Sequence, residues 1–203
     1  MRRTPLSLLA LASALAIAPA SAQDFSATIG YQNVNPKSGN GTLAGAEADV
    51  NDDWSLTGSV AWHFADNWSA ELWSGLARFE HEVSLAGLGT VAGVEHRPTT
   101  LGINYHFMSE GRFRPFVGLG YGWVSLSGER TLGPLAGLGI RADDANGISF
   151  NAGADVYFTE NFFLRLDVRK LDFDTDVSIE TLGNVGTAEV DPLVYGLSAG
   201  IRF

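Results

Sequence analysis

The chain has 203 residues, no cysteine and a formal net charge of −10. This negative balance excludes nucleic acid as an expected partner, because binding to phosphates requires a positively charged surface. The lack of cysteine excludes a fold held by disulfides, and the length fits a single domain.

The first 22 residues have the features of a secretory signal peptide. Arg2 and Arg3 precede an apolar run from Leu6 to Ala18, and small residues at 20–22 form a cleavage site. The run is shorter than the roughly 20 residues that a membrane-spanning helix needs. We therefore expect residues 1–22 to be cleaved and residues 23–203 to form the mature domain.

After this segment, apolar residues alternate with small or polar residues in a period of two, which is typical of β-strands. The alternation continues to the final residue, Phe203. Eight such segments are predicted as strands: Phe25–Gln32, Trp54–Phe64, Trp68–Phe79, Thr99–Phe107, Val117–Trp123, Ile148–Phe158, Leu164–Arg169 and Tyr195–Phe203.

The connections between these strands alternate strictly between short and long. Three are tight turns, at about Ala65–Asn67, Met108–Arg112 and Thr159–Asn161. Four are long and rich in Gly, Asp and Asn, at about Val34–Asp53, Glu80–Arg97, Ser127–Gly147 and Asp174–Ala188. In a barrel of eight strands, this order places both termini and the short turns on the periplasmic side and the long loops outside.

Aromatic residues flank every short turn, as Phe64 and Trp68 do at the first. Aromatic rings favour the boundary between hydrocarbon and water, which a soluble sandwich does not have. Lipid cannot satisfy backbone hydrogen bonds, so the strands must pair in a closed ring with their apolar faces outward. The pattern predicts an all-β fold, an eight-stranded antiparallel transmembrane β-barrel in the outer membrane of a Gram-negative cell.

Charged residues are directed into this barrel by the same alternation. An eight-stranded barrel is just wide enough for its inward side chains to fill it, which excludes an open water pore. Buried charges are costly unless they are paired. We expect a salt-bridged network that closes the periplasmic half of the lumen, or a purely structural filling, formed by Glu71, Asp155, Arg165, Asp167, Arg169 and Arg202.

The long connections carry leucines near the predicted outer rim. They are either parts of glycine-rich loop tips or a hydrophobic mouth that takes an apolar ligand from water, where each buried methylene contributes about 0.8 kcal/mol. The mouth would comprise Leu85, Leu88, Leu135 and Leu138, and the path would continue inward past Trp73, Phe116, Val124 and Leu126.

Motifs for catalysis, cofactors and metals are incomplete. The run Asp172, Asp174, Asp176 lacks the glycine and glutamate of a calcium loop. His81 and His96 lie at the ends of one connection with Glu82 and Glu95, but without the spacing of a zinc motif. No local motif joins a serine, a histidine and a carboxylate. We expect no enzyme activity, no cofactor and no metal.

Several stretches resemble the OmpW family of small outer-membrane barrels. They are HRPTTLGINYHF, RPFVGLGYGW, FFLRLDVRKLDFDTDV and VDPLVYGLSAGIRF, which occur in the family's order. The resemblance implies a narrow barrel that passes small hydrophobic molecules across the outer membrane, with exit sideways into the bilayer. The alternative is a structural or surface-interaction barrel that meets phage, host or lipopolysaccharide without transport.

The partners expected on these grounds are outer-membrane lipid, small hydrophobic molecules and the barrel-assembly machinery. A terminal Phe203 after alternating apolar residues resembles the signal that this machinery reads. We expect the protein to be a monomer.

Overall fold

The computed structural model describes residues 25–180 and 183–203, so the predicted signal peptide lies outside the described residues. Within these ranges, no helix is long and apolar enough to cross a membrane. The same ranges contain the strands β1 Phe25–Asn35, β2 Thr42–Leu43, β3 Ala46–Val50, β4 Asp53–Ala65, β5 Trp68–Gly75, β6 Phe79–Leu85, β7 Gly89–His106, β8 Phe113–Thr131, β9 Ile140–Ala142, β10 Ala145–Tyr157, β11 Phe162–Asp172, β12 Asp174–Ile179, β13 Gly183–Glu189 and β14 Leu193–Arg202.

Eight of these strands form a closed antiparallel ring, which confirms the predicted fold. Around the ring the order is β1, β4, β5, β7, β8, β10, β11, β14 and back to β1. The last strand pairs with the first from Ser26 opposite Arg202 to Asn35 opposite Leu193. Phe203 takes part in this closure, because its backbone exchanges two hydrogen bonds, of 3.0 and 2.8 Å, with that of Phe25.

The burial of the barrel strands is the reverse of that in a soluble protein. On β1, Phe25, Ile29 and Tyr31 are exposed, whereas Ser26 and Gln32 are buried. The same inversion runs along the other barrel strands, where the outward face is apolar. Such a surface is stable only against hydrocarbon, which places the ring in a membrane.

Aromatic rings mark the two edges of this apolar surface. At the end with the short turns, Phe25 and Phe203 stack with ring centroids 6.4 Å apart. At the other end, Trp54 lies 5.4 Å from Tyr31 and 6.0 Å from Tyr195. Two such girdles are expected at the two membrane interfaces.

Above the outer girdle, the barrel continues as an extracellular extension made of β2, β3, β6, β9, β12, β13 and the outer parts of β7 and β8. β8 alone has 19 residues, about 60 Å of extended chain against a hydrocarbon core of about 30 Å. The prediction of four long loops is wrong in detail, because much of each of these connections forms strand. On β12, Asp174 and Asp176 face out while Val177 and Ile179 face in, because water covers the outside here.

Candidate functional site

The extracellular extension encloses an apolar cavity of about 170 Å³. Its wall includes side chains from β2, β3, β6, β7, β12 and β13, which point inward from strands that water surrounds. Seven of them pack as one buried cluster: Leu43, Ala48, Leu85, Val91, Ala92, Val177 and Ala188. The cavity is smaller than the 300–1,000 Å³ of sites for drug-sized ligands, so it suits a small apolar molecule.

Six of the eight residues predicted on the ligand path line this cavity: Leu85, Leu88, Val124, Leu126, Leu135 and Leu138. The other two, Trp73 and Phe116, lie below the cavity and do not line it. Trp73 lies below the cavity in a second apolar cluster that includes Phe79 and Phe173. Phe116 lies deeper still, with the Arg165 guanidinium 4.6 Å from its ring centroid. Alternation correctly indicates that both side chains point inward, but it carries no information about depth.

Beneath the cavity, a cluster of buried charges fills the lumen. Arg165 donates two hydrogen bonds to the Asp155 carboxylate, at 2.7 and 2.9 Å, and a third to Glu71. Arg169 donates to the other Glu71 oxygen at 2.8 Å and to Thr100 Oγ1 at 2.7 Å. All five side chains are buried, so the cluster occupies the cross-section that an axial path would need.

The remaining predicted lumen charges lie around this cluster. Asp167 accepts a 2.8 Å hydrogen bond from Gln32, whose carbonyl oxygen accepts one of 3.0 Å from the Trp73 indole. The Trp73 ring also lies 4.8 Å from the Arg169 guanidinium and covers it from above. Arg202 is half-buried and hydrogen-bonds Tyr157 near the periplasmic end, away from Glu71.

Two histidines form a polar spot in the cavity wall. His81 and His96 stack with ring centroids 4.7 Å apart and an interplanar angle of 11°. Phe79 also stacks with His96, with ring centroids 5.4 Å apart. His81 Nδ1 lies 2.5 Å from the Asn51 carbonyl oxygen. Glu82, by contrast, is exposed on the outer face and does not join the pair.

Burial determines the charge of this histidine pair. It lowers the pKa of His81 below 6.5, although the nearby carboxylates of Asp52 and Asp53 oppose the shift. Burial also lowers the pKa of His96 well below 6.5, and His81 and the Arg78 guanidinium add to that effect. Both imidazoles are therefore neutral at neutral pH.

Comparison with known proteins identifies the lineage of this barrel. The sequence profile of the OmpW family matches residues 22–203. The chain belongs to the OmpW family. It is accordingly an integral protein of the outer membrane, as its relatives are.

Three relatives show how much of the OmpW-family chain is shared. Outer membrane protein AlkL of Ectopseudomonas oleovorans is 33% identical over 171 residues, which cover 81% of this chain and 73% of that protein. Dibenzothiophene metabolism operon protein DoxH of Pseudomonas sp. (strain C18) is 27% identical over 172 residues, covering 79% and 77%. The crystal structure of OprG from Pseudomonas aeruginosa matches with a TM-score of 0.78 at 29% identity, covering 88% of this chain and 95% of that one.

Sequence reasoning missed the part of the cavity wall that β12 and β13 supply. Val177, Ile179 and Ala188 line the cavity, although the segments that hold them were predicted as loops. A signal was present, because Asp174 and Asp176 alternate with Val177 and its neighbours. In this OmpW-family chain, an acidic residue at every second position marks the water-facing side of a strand whose other side is apolar.

The ring of the extension is interrupted on one side, between β8 and β9. The ladder between β8 and β10 ends at Val124 opposite Ala145, and β9 pairs with β12 instead. Beyond that point, the Leu126 amide donates to an Asp144 carboxylate oxygen at 2.9 Å. Leu126 and Ile140, on the two sides of this seam, both line the cavity. The seam therefore adjoins the cavity just above the outer aromatic girdle.

Proposed function

We propose that this OmpW-family barrel binds small hydrophobic molecules outside the cell and passes them sideways into the outer membrane. The observation that carries the proposal is the apolar cavity, whose wall points inward from strands that face water. Removing apolar surface from water contributes about 25 cal/mol per Å², so such a cavity favours entry of an apolar solute.

The charge cluster argues for a side exit. Glu71 forms ion pairs with both Arg165 and Arg169, and these buried side chains fill the lumen below the cavity. An apolar molecule that moved down the axis would have to separate these buried ion pairs, which costs several kcal/mol. The seam between β8 and β9 offers a shorter way, because it adjoins both the cavity and the membrane surface.

The relatives support the class of ligand. The printed name of DoxH, and that of PahQ of Pseudomonas aeruginosa, place these two proteins in a dibenzothiophene metabolism operon. Dibenzothiophene is a small aromatic compound without charge, which is the kind of solute that the cavity would take. A surface-interaction barrel, the alternative, accounts for the long extracellular strands but gives the apolar cavity no role.

The proposal is tested by filling the cavity. Ala188→Trp places a large ring in the cavity wall, whereas Thr187→Trp places the same ring on the exposed face of the same strand. Cells that lack the gene are complemented with each variant and given labelled dibenzothiophene. We expect faster uptake with the native chain and with Thr187→Trp, and uptake near the empty-vector level with Ala188→Trp.

Two results would contradict this scheme in different ways. Unchanged uptake by Ala188→Trp would show that the ligand does not pass through the cavity. Equal uptake rates with the native chain and with empty vector would show that uptake of hydrophobic molecules is not the function. Migration of unheated and heated samples on a gel shows that each variant is folded and inserted.

The exit route is tested separately, by closing the seam. The chain has no cysteine, so Ser125→Cys with Asp144→Cys introduces a single possible cross-link beside the last β8–β10 pair. We expect oxidation to slow uptake and reduction to restore it. A control pair, Asp176→Cys with Thr187→Cys, joins two strands that already pair and should have no effect. Equal uptake in both oxidised proteins would rule out this exit.

A further inference from the structure

The polar spot in the cavity wall holds two nitrogen atoms without a partner. The Nε2 atoms of His81 and His96 are buried and make no hydrogen bond within residues 25–180 and 183–203. A buried polar atom that is left unpaired destabilises the fold, because it has lost its hydrogen bonds to water. The other polar residues of the cavity wall are Glu129 and Thr175, and the Thr175 hydroxyl already donates to the Asp143 carbonyl oxygen at 2.6 Å. The two histidine nitrogens are therefore the uncharged polar groups of the wall that still lack a hydrogen-bond partner.

The hydrogen bond to Asn51 determines whether the free nitrogen of His81 is a hydrogen-bond donor or an acceptor. A carbonyl oxygen only accepts, so the Nδ1 of His81 carries the proton and donates it. In the neutral ring the second nitrogen, Nε2, is then an acceptor. It needs a donor from the ligand, and a ligand made only of carbon and hydrogen has none.

We propose that the preferred ligand of the cavity carries a hydroxyl group, which donates a hydrogen bond to His81 Nε2 while its hydrocarbon part fills the cavity. This inference rests on the function proposed above and names its ligand class: short aliphatic alcohols and phenols in preference to plain hydrocarbons. A hydroxyl also accepts, so it complements His96 when the Nε2 of that ring is protonated.

The surroundings disfavour a carboxylate and a metal ion as ligands. Asp52 and Asp53 act on His81 through their charge, and Glu129 lines the cavity, so a carboxylate would meet like charges in an apolar space. A metal ion would need lone pairs that converge on one point. The rings of His81 and His96 are stacked only 11° from parallel, an arrangement that directs their nitrogens side by side.

The test compares 1-octanol with nonane, in which a methyl group replaces the hydroxyl. Purified protein labelled with ¹⁵N-histidine is placed in lipid nanodiscs, and each compound is titrated while the imidazole ¹⁵N signals are recorded. We expect octanol to move the His81 Nε2 signal upfield, because a hydrogen-bond donor shifts the signal of an acceptor nitrogen in that direction. Nonane should leave the signal in place.

Two variants test the same preference through the ratio of octanol affinity to nonane affinity. His81→Phe removes the acceptor and keeps a ring in the stack, and we expect it to lower the ratio of octanol affinity to nonane affinity roughly two- to tenfold. Val91→Ala, a control on the same wall, removes apolar contact from both ligands and should leave the ratio unchanged.

The outcomes separate this inference from the function beneath it. Equal binding of octanol and nonane, with no movement of either histidine signal, overturns the hydroxyl preference and leaves hydrophobic binding intact. Failure of both compounds to bind overturns the proposed function itself. Because the spectral shift is measured on the native chain, the inference stays falsifiable even where His81→Phe does not fold.

Discussion

Replacing Glu71 by alanine should destabilise the barrel more than any exposed charge substitution. The Glu71 carboxylate accepts from both Arg165 and Arg169, and all three side chains are buried. Without it, Arg165 keeps two hydrogen bonds to Asp155, but Arg169 keeps one to Thr100. Removing one partner of a buried ion pair costs about 3–5 kcal/mol, since an uncompensated charge is left behind.

We therefore expect Glu71→Ala to lower the free energy of unfolding by at least about 3 kcal/mol, which changes the folding equilibrium by more than a hundredfold. The assay is reversible unfolding in lipid vesicles with a denaturant, followed by tryptophan fluorescence. Glu80→Ala is the matched control, because that carboxylate is exposed and 4.0 Å from Arg130, and its loss should cost less than about 0.5 kcal/mol. A loss under about 1 kcal/mol for Glu71→Ala would contradict the interpretation of these side chains as a buried, ion-paired cluster.

Two further predictions concern the histidine pair and a glycine of β8. Because the pKa values of His81 and His96 are lowered on folding, the unfolded chain binds more protons, so the stability of the extension is complete above pH 6.5 and is lost as the pH falls below it. Amide-exchange protection factors of β6 and β7 should therefore drop between pH 7.5 and 5, and equal protection would contradict the prediction. Gly118→Ala should destabilise the barrel by about 1–3 kcal/mol in the same denaturant assay, because a Cβ there would lie 2.0 Å from Asn104 Oδ1 and 2.3 Å from Asn151 Oδ1; a neutral effect would contradict this packing.

The barrel itself follows from sequence because one simple rule governs it. Lipid requires a closed ring with apolar side chains outside, and a period of two in the sequence is enough to reveal that arrangement. Phe25, Ile29 and Tyr31 on the first strand and the alternating residues up to Phe203 on the last fit this rule. The short turns are also predictable from the sequence, because a short connection can join only neighbouring antiparallel strands.

The cavity is harder to predict because the rule reverses above the membrane. There the outside is water, so acidic residues such as Asp174 face out and Val177 faces in. Read with the membrane rule, such segments look like polar loops. Depth is the second limit: Phe116 and Val124 both point inward from β8, yet only Val124 lines the cavity. Which residues share a level depends on strand register and tilt, and a single sequence does not carry these.

The pairing of His81 with His96 shows a third limit. Both were recognisable as candidates, but their stacking depends on the β6–β7 register, in which Phe79 lies opposite His96. That register is set by the whole hairpin and by a bulge after Val83.

The proposed function requires a small apolar molecule to occupy the extracellular cavity and not the lumen below it. Intermolecular nuclear Overhauser effects between ligand and protein measure this occupancy. The protein is deuterated except at its methyl groups and is placed in nanodiscs of deuterated lipid, and naphthalene is the ligand. We expect contacts from naphthalene to methyls of Val177, Ile140 and Leu135, and none to Ala61 in the lumen. Contacts confined to lipid-facing methyls such as those of Leu72 and Leu119 would contradict it.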